Sequence, residues 1–595
     1  MTLTTPWSTE LNPDHPLPEY PRPQLTRPDW LNLNGRWEYA IRPAGEQSVE
    51  VFDGQIVVPF AVESALSGVQ KPLKPDERLW YKRTFRVPDS WEGKRVLLNF
   101  DAVDWQCHVW VNGHLTGEHT GGYLPFSFDI SLHLHTGDNE LLVAVNDPTD
   151  SGRQEYGKQS LRPRAIWYTA VSGIWQTVWL EPVPQASIRS LKMTPDLVGE
   201  QLLIEAVLDG DLAGLTVEAD ASFDGMHISQ TTVPAGKTLT LTIPHPHAWS
   251  PEKPNLYDLL VHLKKNETIL DEVGSYFAMR SFSFGFDAYG HKRFLLNGQP
   301  TFLFGPLDQG YWPDGLYTAP SDAALRFDIE FTKDIGCNLI RKHVKLESPR
   351  WYAHCDQLGM LVWQDMPNGG IPPAGLIALG PMVFNNTHSN VKDLKRFGRA
   401  EKGNRERYLQ DLQSTVEHLY NTACIAGWVP FNEAWGQFSA RSVAEMLQLW
   451  DPTRSVDHAS GWFDDGAGDW RSLHIYGYKL SPGKPDERAF VLSEFGGYGL
   501  GLNGHRWHPK RKFGLHYFKD EGKLASAYTE LLEKQLEPLI AQGLVAAVYT
   551  QITDVETEMN GWLTYDRRVE KIPRATLKTL HSSLFSRAQA ELEKG

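Results

Sequence analysis

Cysteine is scarce in this chain: Cys107, Cys337, Cys355 and Cys424 are the only four in 595 residues, widely spaced and each in an apolar or helical context. That pattern argues against a disulfide framework and against a zinc site, and leaves buried free thiols as the expectation. No apolar run approaches the length of a membrane span,. Positive charge is not in excess either. With 58 Lys and Arg against 73 Asp and Glu, the formal charge is −15, which disfavours nucleic acid or an anionic membrane as a partner, because both select a basic face. The opening Met1-Thr2-Leu3-Thr4-Thr5-Pro6-Trp7 has neither the basic stretch nor the apolar core of a secretory signal, so cytoplasmic residence is the expectation.

What is present is an ordinary globular composition, 41% hydrophobic and 22% charged, over a length that calls for two to four domains,. There are 21 tryptophans, flat apolar faces with a polar handle that suit both cores and sugar contacts. Residues 1–28 carry Pro16, Pro18, Pro21, Pro23 and Pro28 and are expected to form an extended arm on the surface of a partner domain or subunit. Residues 29–184 read as short alternating strands between Gly, Asp and Asn turns, as in Trp80 to Val87 and in Val109-Trp110-Val111 followed by the Asn112-Gly113 hairpin signal,. This is an all-β sandwich pattern. Residues 185–282 continue it, with strands at 202–207, 239–243 and 257–263, and fit an immunoglobulin-like β-sandwich,.

From residue 283 to 595 the period changes. Ser321-Asp322 caps a helix to about Ile335; a strand follows at Leu339 to Val344, a helix at Pro349 to Leu358, and a strand at Met360 to Trp363. Repeated to the end, this alternation predicts parallel β/α units and a C-terminal (β/α)8 TIM barrel. The Gly/Pro-containing stretch 367–404 reads as a loop at the barrel mouth after the third strand.

Two strand ends carry the chemistry. The apolar run Ile425 to Phe431 stops abruptly at Asn432-Glu433 and turns through Trp435-Gly436; 61 residues beyond Glu433, Phe490-Val491-Leu492-Ser493 runs into Glu494 and then Gly496-Gly497. A lone strand-end acid is as well explained by a helix N-terminus. Two of them in one parallel barrel meet at its C-terminal face, and a facing carboxylate pair is what glycoside hydrolysis requires.

On these segments the chain resembles glycoside hydrolase family 2, the family of β-galactosidases, β-glucuronidases and β-mannosidases. Further matching blocks are Val58-Pro59-Phe60, Trp80-Tyr81, Val111-Asn112-Gly113, Gly121-Gly122-Tyr123, Ser172-Gly173-Ile174-Trp175-Gln176, Trp249-Ser250-Pro251 and Pro254-Asn255-Leu256-Tyr257. The resemblance spans nearly the full chain and implies a jelly-roll sugar-binding-like domain, the immunoglobulin-like domain and a catalytic barrel. It further implies that Glu433 is the general acid/base, Glu494 the nucleophile and Asn432 the partner of the sugar 2-hydroxyl. Relatives commonly assemble, which leaves the oligomeric state open, with a homo-oligomer to whose contacts the proline-rich arm could contribute as one outcome.

Other candidates follow from strand position. Arg341 and His343 share one face of the second strand,, where cations would keep the nucleophile ionised or bind substrate oxygens; an arginine satisfying a buried carboxylate is the alternative. The family's His follows its Arg by three residues, whereas His343 follows Arg341 by two. His474 and Tyr476 end the sixth strand, where Tyr476 would hold Glu494 by a hydrogen bond or else serve packing. Asp365 and Trp435 are candidate sugar contacts. Where the family has Arg-Gly-x-Asn-x-His, this chain has Phe304 to Trp312, which makes Asp308 and Gln309 candidates for an unusual subsite. The family's glucuronidases use an Asn-x-Lys late in the barrel; the triplet here, Asn390-Val391-Lys392, falls between strands three and four, while the basic segment Asn503 to Lys512 could read a uronate or be a solvated face,. The carboxylates of Asp554 to Asn560 follow no recognised metal spacing, so no metal and no cofactor is expected.

The expectation is therefore a retaining exo-β-glycosidase acting on terminal β-linked sugars. Uronide specificity and a catalytically inactive carbohydrate-binding protein are the alternatives.

Overall fold

Alternating burial builds the first half of the chain. In the computed structural model, which describes residues 3–371, 394–514 and 516–594, a six-stranded antiparallel sheet runs in the order Gly54–Val58, Gly35–Pro43, Glu77–Arg86, Asp138–Asn146, Gln106–Val111, His114–Thr120. Its inward residues Trp37, Tyr81, Val109 and Val143 meet Leu98, Phe100 and Leu180 from a four-stranded sheet in one core. Asn112 and Gly113 both take positive φ, 50° and 78°, as a two-residue hairpin turn demands. A second pair of sheets follows, of three and four strands between Ser187 and Phe277, closed over Ile204, Val217, Leu241 and Val261.

Continuous apolar runs then give the eight parallel strands of a barrel: β1 (Leu303–Asp308), β2 (Leu339–Lys342), β3 (Leu361–Asp365), β4 (Ile425–Val429), β5 (Ser455–Val456), β6 (Trp470–Ile475), β7 (Ala489–Gly496) and β8 (Leu544–Thr550). Buried on both faces, they pair in the order β5-β4-β3-β2-β1-β8-β7-β6,. The seam between β5 and β6 is tied by Asp469, whose N–H donates to Val456 O at 2.8 Å and whose Oδ2 accepts from Val456 N at 2.9 Å. Helix α1 (Asp322–Asp334) is capped by Ser321 Oγ, and α2 (Pro349–Leu358) stops at Gly359 with φ 68°,. Strand β2 ends at Lys342, earlier than its apolar pattern predicts, because Val344 takes φ 43° and turns the chain. A three-stranded sheet, Phe282–Phe286, Lys292–Leu296 and Gln299–Pro300, covers the N-terminal end of the barrel. Arg293 donates there to Leu544 O and Ile540 O at 3.1 and 3.3 Å.

The proline-rich arm lies on its own chain. Thr5 binds Asp314 through its N–H and hydroxyl at 2.8 and 2.7 Å. Tyr20 donates to Glu181 at 2.5 Å, Thr26 pairs with Gly274, and Gln24 donates to Asn421 O at 3.0 Å. The arm thus fastens both β units to the barrel. Residues 372–393 of the expected mouth loop, with the Asn390-Val391-Lys392 triplet, lie outside the described residues. Among the described residues no helix is long and apolar enough to cross a membrane.

Candidate active site

Arg341, fully buried at the end of β2, is the hub of the barrel's C-terminal face. Its guanidinium has five N–H groups, and the structure provides five acceptors: Asp365 Oδ1 and Oδ2 at 3.0 and 2.9 Å, Asn432 Oδ1 at 2.9 Å, Ser493 O at 3.0 Å and Glu494 Oε1 at 3.1 Å. The ends of β3, β4 and β7 are thereby held to one cation. Each of these strands delivers its acidic or amide side chain where its apolar run ends.

Glu494 is 5% exposed. Besides Arg341 it accepts a hydrogen bond on Oε2 from Tyr476, whose hydroxyl also lies 2.8 Å from Thr550 Oγ1. Burial pushes this carboxyl up, but the adjoining charges of His474 and Arg341 overcome it and hold the group at about 2, so it is a carboxylate at neutral pH. Glu433 is half-buried. Glu433 and Ala434 take φ 51° and 63°, a left-handed region that costs a non-glycine residue about 1–2 kcal/mol, and this turn carries the Glu433 side chain off the β4 end. His474 bridges the halves: its Nδ1 is 2.8 Å from Glu433 Oε1, its Nε2 2.8 Å from Ser460 Oγ and 3.7 Å from Glu494 Oε1. Close approach here needs Gly461 (φ 108°), where a Cβ would fall 3.3 Å from both Glu433 Cγ and His474 Nδ1. One oxygen of Glu433, one of Glu494 and one His474 nitrogen all lie within 4.8 Å of one another. Such donors could bind a divalent ion, but here they are engaged with each other and with Arg341 and Tyr476.

Asp365 gives both oxygens to protein donors, Arg341 and His343 Nδ1 (2.8 Å), and burial raises its pKa. It therefore stands behind the pocket as a support rather than as a sugar contact. Burial, then the charge of Lys158, drives the His343 pKa well down, and its buried Nε2 has no partner among the described residues. Asn432 spends Oδ1 on Arg341 and donates its amide hydrogens to no protein atom among the described residues.

Three sequence candidates are placed differently. Asp308 accepts from Lys342 Nζ at 2.6 Å and Gly310 N at 2.8 Å, inside a buried ion cluster with Glu347 and Lys345, and has no oxygen to spare for a substrate. Its neighbour Gln309 is buried, with no partner for Nε2 among the described residues. Trp435 is 3% exposed and packs on Tyr156 and Trp167 at 5.5 and 4.9 Å, so it anchors a neighbouring segment and offers no open face for stacking. In the basic segment after Glu494, His505 pairs with Asp566 at 2.8 Å and Lys510, Arg511 and Lys512 are exposed. The acidic residues after β8 clamp the first β unit: Glu558 accepts from the Tyr168 hydroxyl and Glu556 from Thr169 N at 2.7 Å, while Asp554 pairs with Lys571.

Sequence reasoning missed Ser460, which supports His474, and Lys158, a buried cation of the first β unit whose charge helps to lower the Glu494 pKa. Ser460 follows a two-residue strand too short to read by periodicity, and Lys158 sits in an irregular loop of another domain.

The β units match known profiles: residues 31–184 that of "Glycosyl hydrolases family 2, sugar binding domain" and residues 187–280 that of "Glycosyl hydrolases family 2". Both matched stretches are thus domains of glycoside hydrolase family 2. A relative from Formosa agariphila is 29% identical over 354 residues, 57% of this chain and 42% of that protein. The β-galactosidase of Thermoanaerobacter pseudethanolicus is 27% identical over 301 residues, 48% of this chain and 39% of that protein. The chain spans less than half the length of these two curated relatives. The β-D-glucuronidase structure from Dictyoglomus thermophilum shares the fold, with TM-score 0.72 at 18% identity, over 95% of this chain and 98% of that one. The two domain matches lie in the β units, and this likeness extends the same fold, β units ahead of a barrel, over the rest of the chain.

Proposed function

We propose that this family 2 chain is a retaining, exo-acting β-glycosidase. Glu433 donates its proton to the glycosidic oxygen while a Glu494 oxygen attacks the anomeric carbon, so the C–O bond to the aglycone breaks as the glycosyl ester forms. Glu433, now the base, takes a proton from water. Water attacks the same carbon, and Glu494 leaves as carboxylate. The observation that carries this reading is that one oxygen of Glu433 lies within 4.8 Å of one oxygen of Glu494, an approach that suits carboxyl groups set for direct attack, ~5–5.5 Å apart, better than the ~6.5–9.5 Å that a water between them requires. Their surroundings support unequal roles: Glu494 is held ionised by Arg341, His474 and Tyr476, whereas Glu433 is the more exposed of the two. Asn432, with free amide hydrogens next to Glu433, suits a sugar hydroxyl. In this reading residues 29–184 are a jelly roll and 185–282 an immunoglobulin-like sandwich, both supporting a catalytic unit from 283 onward. Glu494→Ala is expected to abolish turnover of aryl β-glycosides with an unchanged melting temperature. Undiminished turnover refutes the assignment, and sugar binding by the unaltered protein without cleavage of any glycoside favours a binding protein.

A further inference from the structure

Resting on that reading, one charge carried over the barrel mouth makes no hydrogen bond or ion pair with either glutamate. Lys158 belongs to a segment of the first β unit laid across the barrel mouth. Tyr156 O accepts from Gly369 N at 3.2 Å, after β3, and the Tyr156 ring packs on Trp435, after β4. Gly157 lies so near the end of β2 that a Cβ on it would fall 2.9 Å from Val344 O. Lys158 O accepts from Tyr168 N at 2.8 Å, and Tyr168 and Thr169 are clamped to Glu558 and Glu556 after β8. Four strand ends thus fix the backbone on which Lys158 is carried.

We propose that Lys158 binds the carboxylate of the terminal sugar, and that the substrate is a β-hexuronide. Lys158 is buried, 8% exposed, yet its side chain donates no hydrogen bond and forms no ion pair among the described residues; its ammonium rests 6.0 Å from the centre of the Tyr168 ring. The other buried lysines among the described residues are all paired: Lys342 with Asp308 and Glu347, Lys345 with Glu347, Lys571 with Asp554. Arg341, the other cation at the mouth, has no N–H left for a ligand. A neutral sugar would strip the remaining water from Lys158 and leave its charge uncompensated, which is costly in a closed site. A carboxylate on the sugar ring supplies the missing partner. The charge of Lys158 also helps to lower the pKa values of Glu494 and His343, in keeping with the backbone contacts that carry it over the barrel mouth.

The test is calorimetric binding of free D-glucuronate and D-galacturonate against D-glucose and D-galactose to the full chain and to Lys158→Met and Lys158→Arg, with turnover of the matching nitrophenyl β-glycosides in parallel. The unaltered protein is expected to prefer one uronate over its neutral counterpart by about 10- to 100-fold, the range of a charge-assisted hydrogen bond. Lys158→Met should erase that preference with an unchanged melting temperature, and Lys158→Arg should restore part of it. Equal weakening of acid and neutral sugar by Lys158→Met, or no uronate preference at the outset, overturns the proposal. Absence of all turnover would overturn the hydrolase reading alone, because the binding ratio still decides the role of Lys158.

Discussion

Replacing Tyr476 by Phe removes one oxygen and leaves the ring in place. The lost hydroxyl is the donor to Glu494 Oε2 and lies 2.8 Å from Thr550 Oγ1. A hydrogen bond to a charged group contributes about 1.5–3 kcal/mol, equivalent to about 10- to 150-fold in rate. The loss does not fall evenly on the two half-reactions. When Glu494 attacks, its charge disappears, so a weaker ground-state hold partly offsets the missing donor. When the glycosyl ester breaks, charge returns to Glu494, and the donor is needed most in that transition state. Deglycosylation should therefore slow by the larger factor, kcat and KM should fall together, and an activated aryl glycoside should show a burst of phenol release before a slow steady state. The same deletion raises the Glu494 pKa from about 2, since a donor to the ionised form is gone, and moves the acid limb of kcat/KM to higher pH. Stopped-flow release of a dinitrophenolate reads the burst directly. An unchanged kcat, or a slowed enzyme with neither burst nor shifted acid limb, would refute the role given to Tyr476.

Two stability predictions follow from buried charge. Asp451 is fully buried; burial pushes its carboxyl up, but Arg454, Thr453 and Trp428 hold it at about 2. With an unfolded value of about 4, it contributes roughly 2–3 kcal/mol above about pH 4 and loses this as pH falls toward 2; urea unfolding should show the gap between the unaltered protein and Asp451→Asn narrowing across that window, and a gap independent of pH would contradict it. Arg341→Met leaves Asp365 buried without its cation and should cost about 3–5 kcal/mol in the same assay, with Arg341→Met/Asp365→Leu recovering part of the loss; a loss below 1 kcal/mol would show that the pair carries little.

The parts of the site that sequence makes legible are those carried by regular strands. An apolar run that stops at an acid places Glu433 and Glu494 at a barrel rim, and alternation along β2 singles out Arg341. Tyr476 sits one residue beyond β6 and is reached by the same reasoning. What escapes is tertiary. Asp365 ends a strand just as Glu494 does, and only the positions of Arg341 and His343 show that both its oxygens are occupied. Trp435 has the composition of a sugar platform but is covered by Tyr156 and Trp167 from another unit. Lys158 is invisible to periodicity because its loop is irregular and the barrel groups on which its charge acts, His343 and Glu494, lie 185 and 336 residues further along the chain.

The claim beneath all of this is direct attack by Glu494 on a sugar protonated by Glu433. A 2-deoxy-2-fluoro β-glycoside with a good leaving group forms the glycosyl ester faster than it is hydrolysed, so intact-protein mass spectrometry followed by peptide mapping reads the intermediate. The account predicts one glycosyl increment per chain, on Glu494, and initial release of the β-anomer from the ordinary substrate. An adduct on another residue, or first product of α configuration, would contradict it.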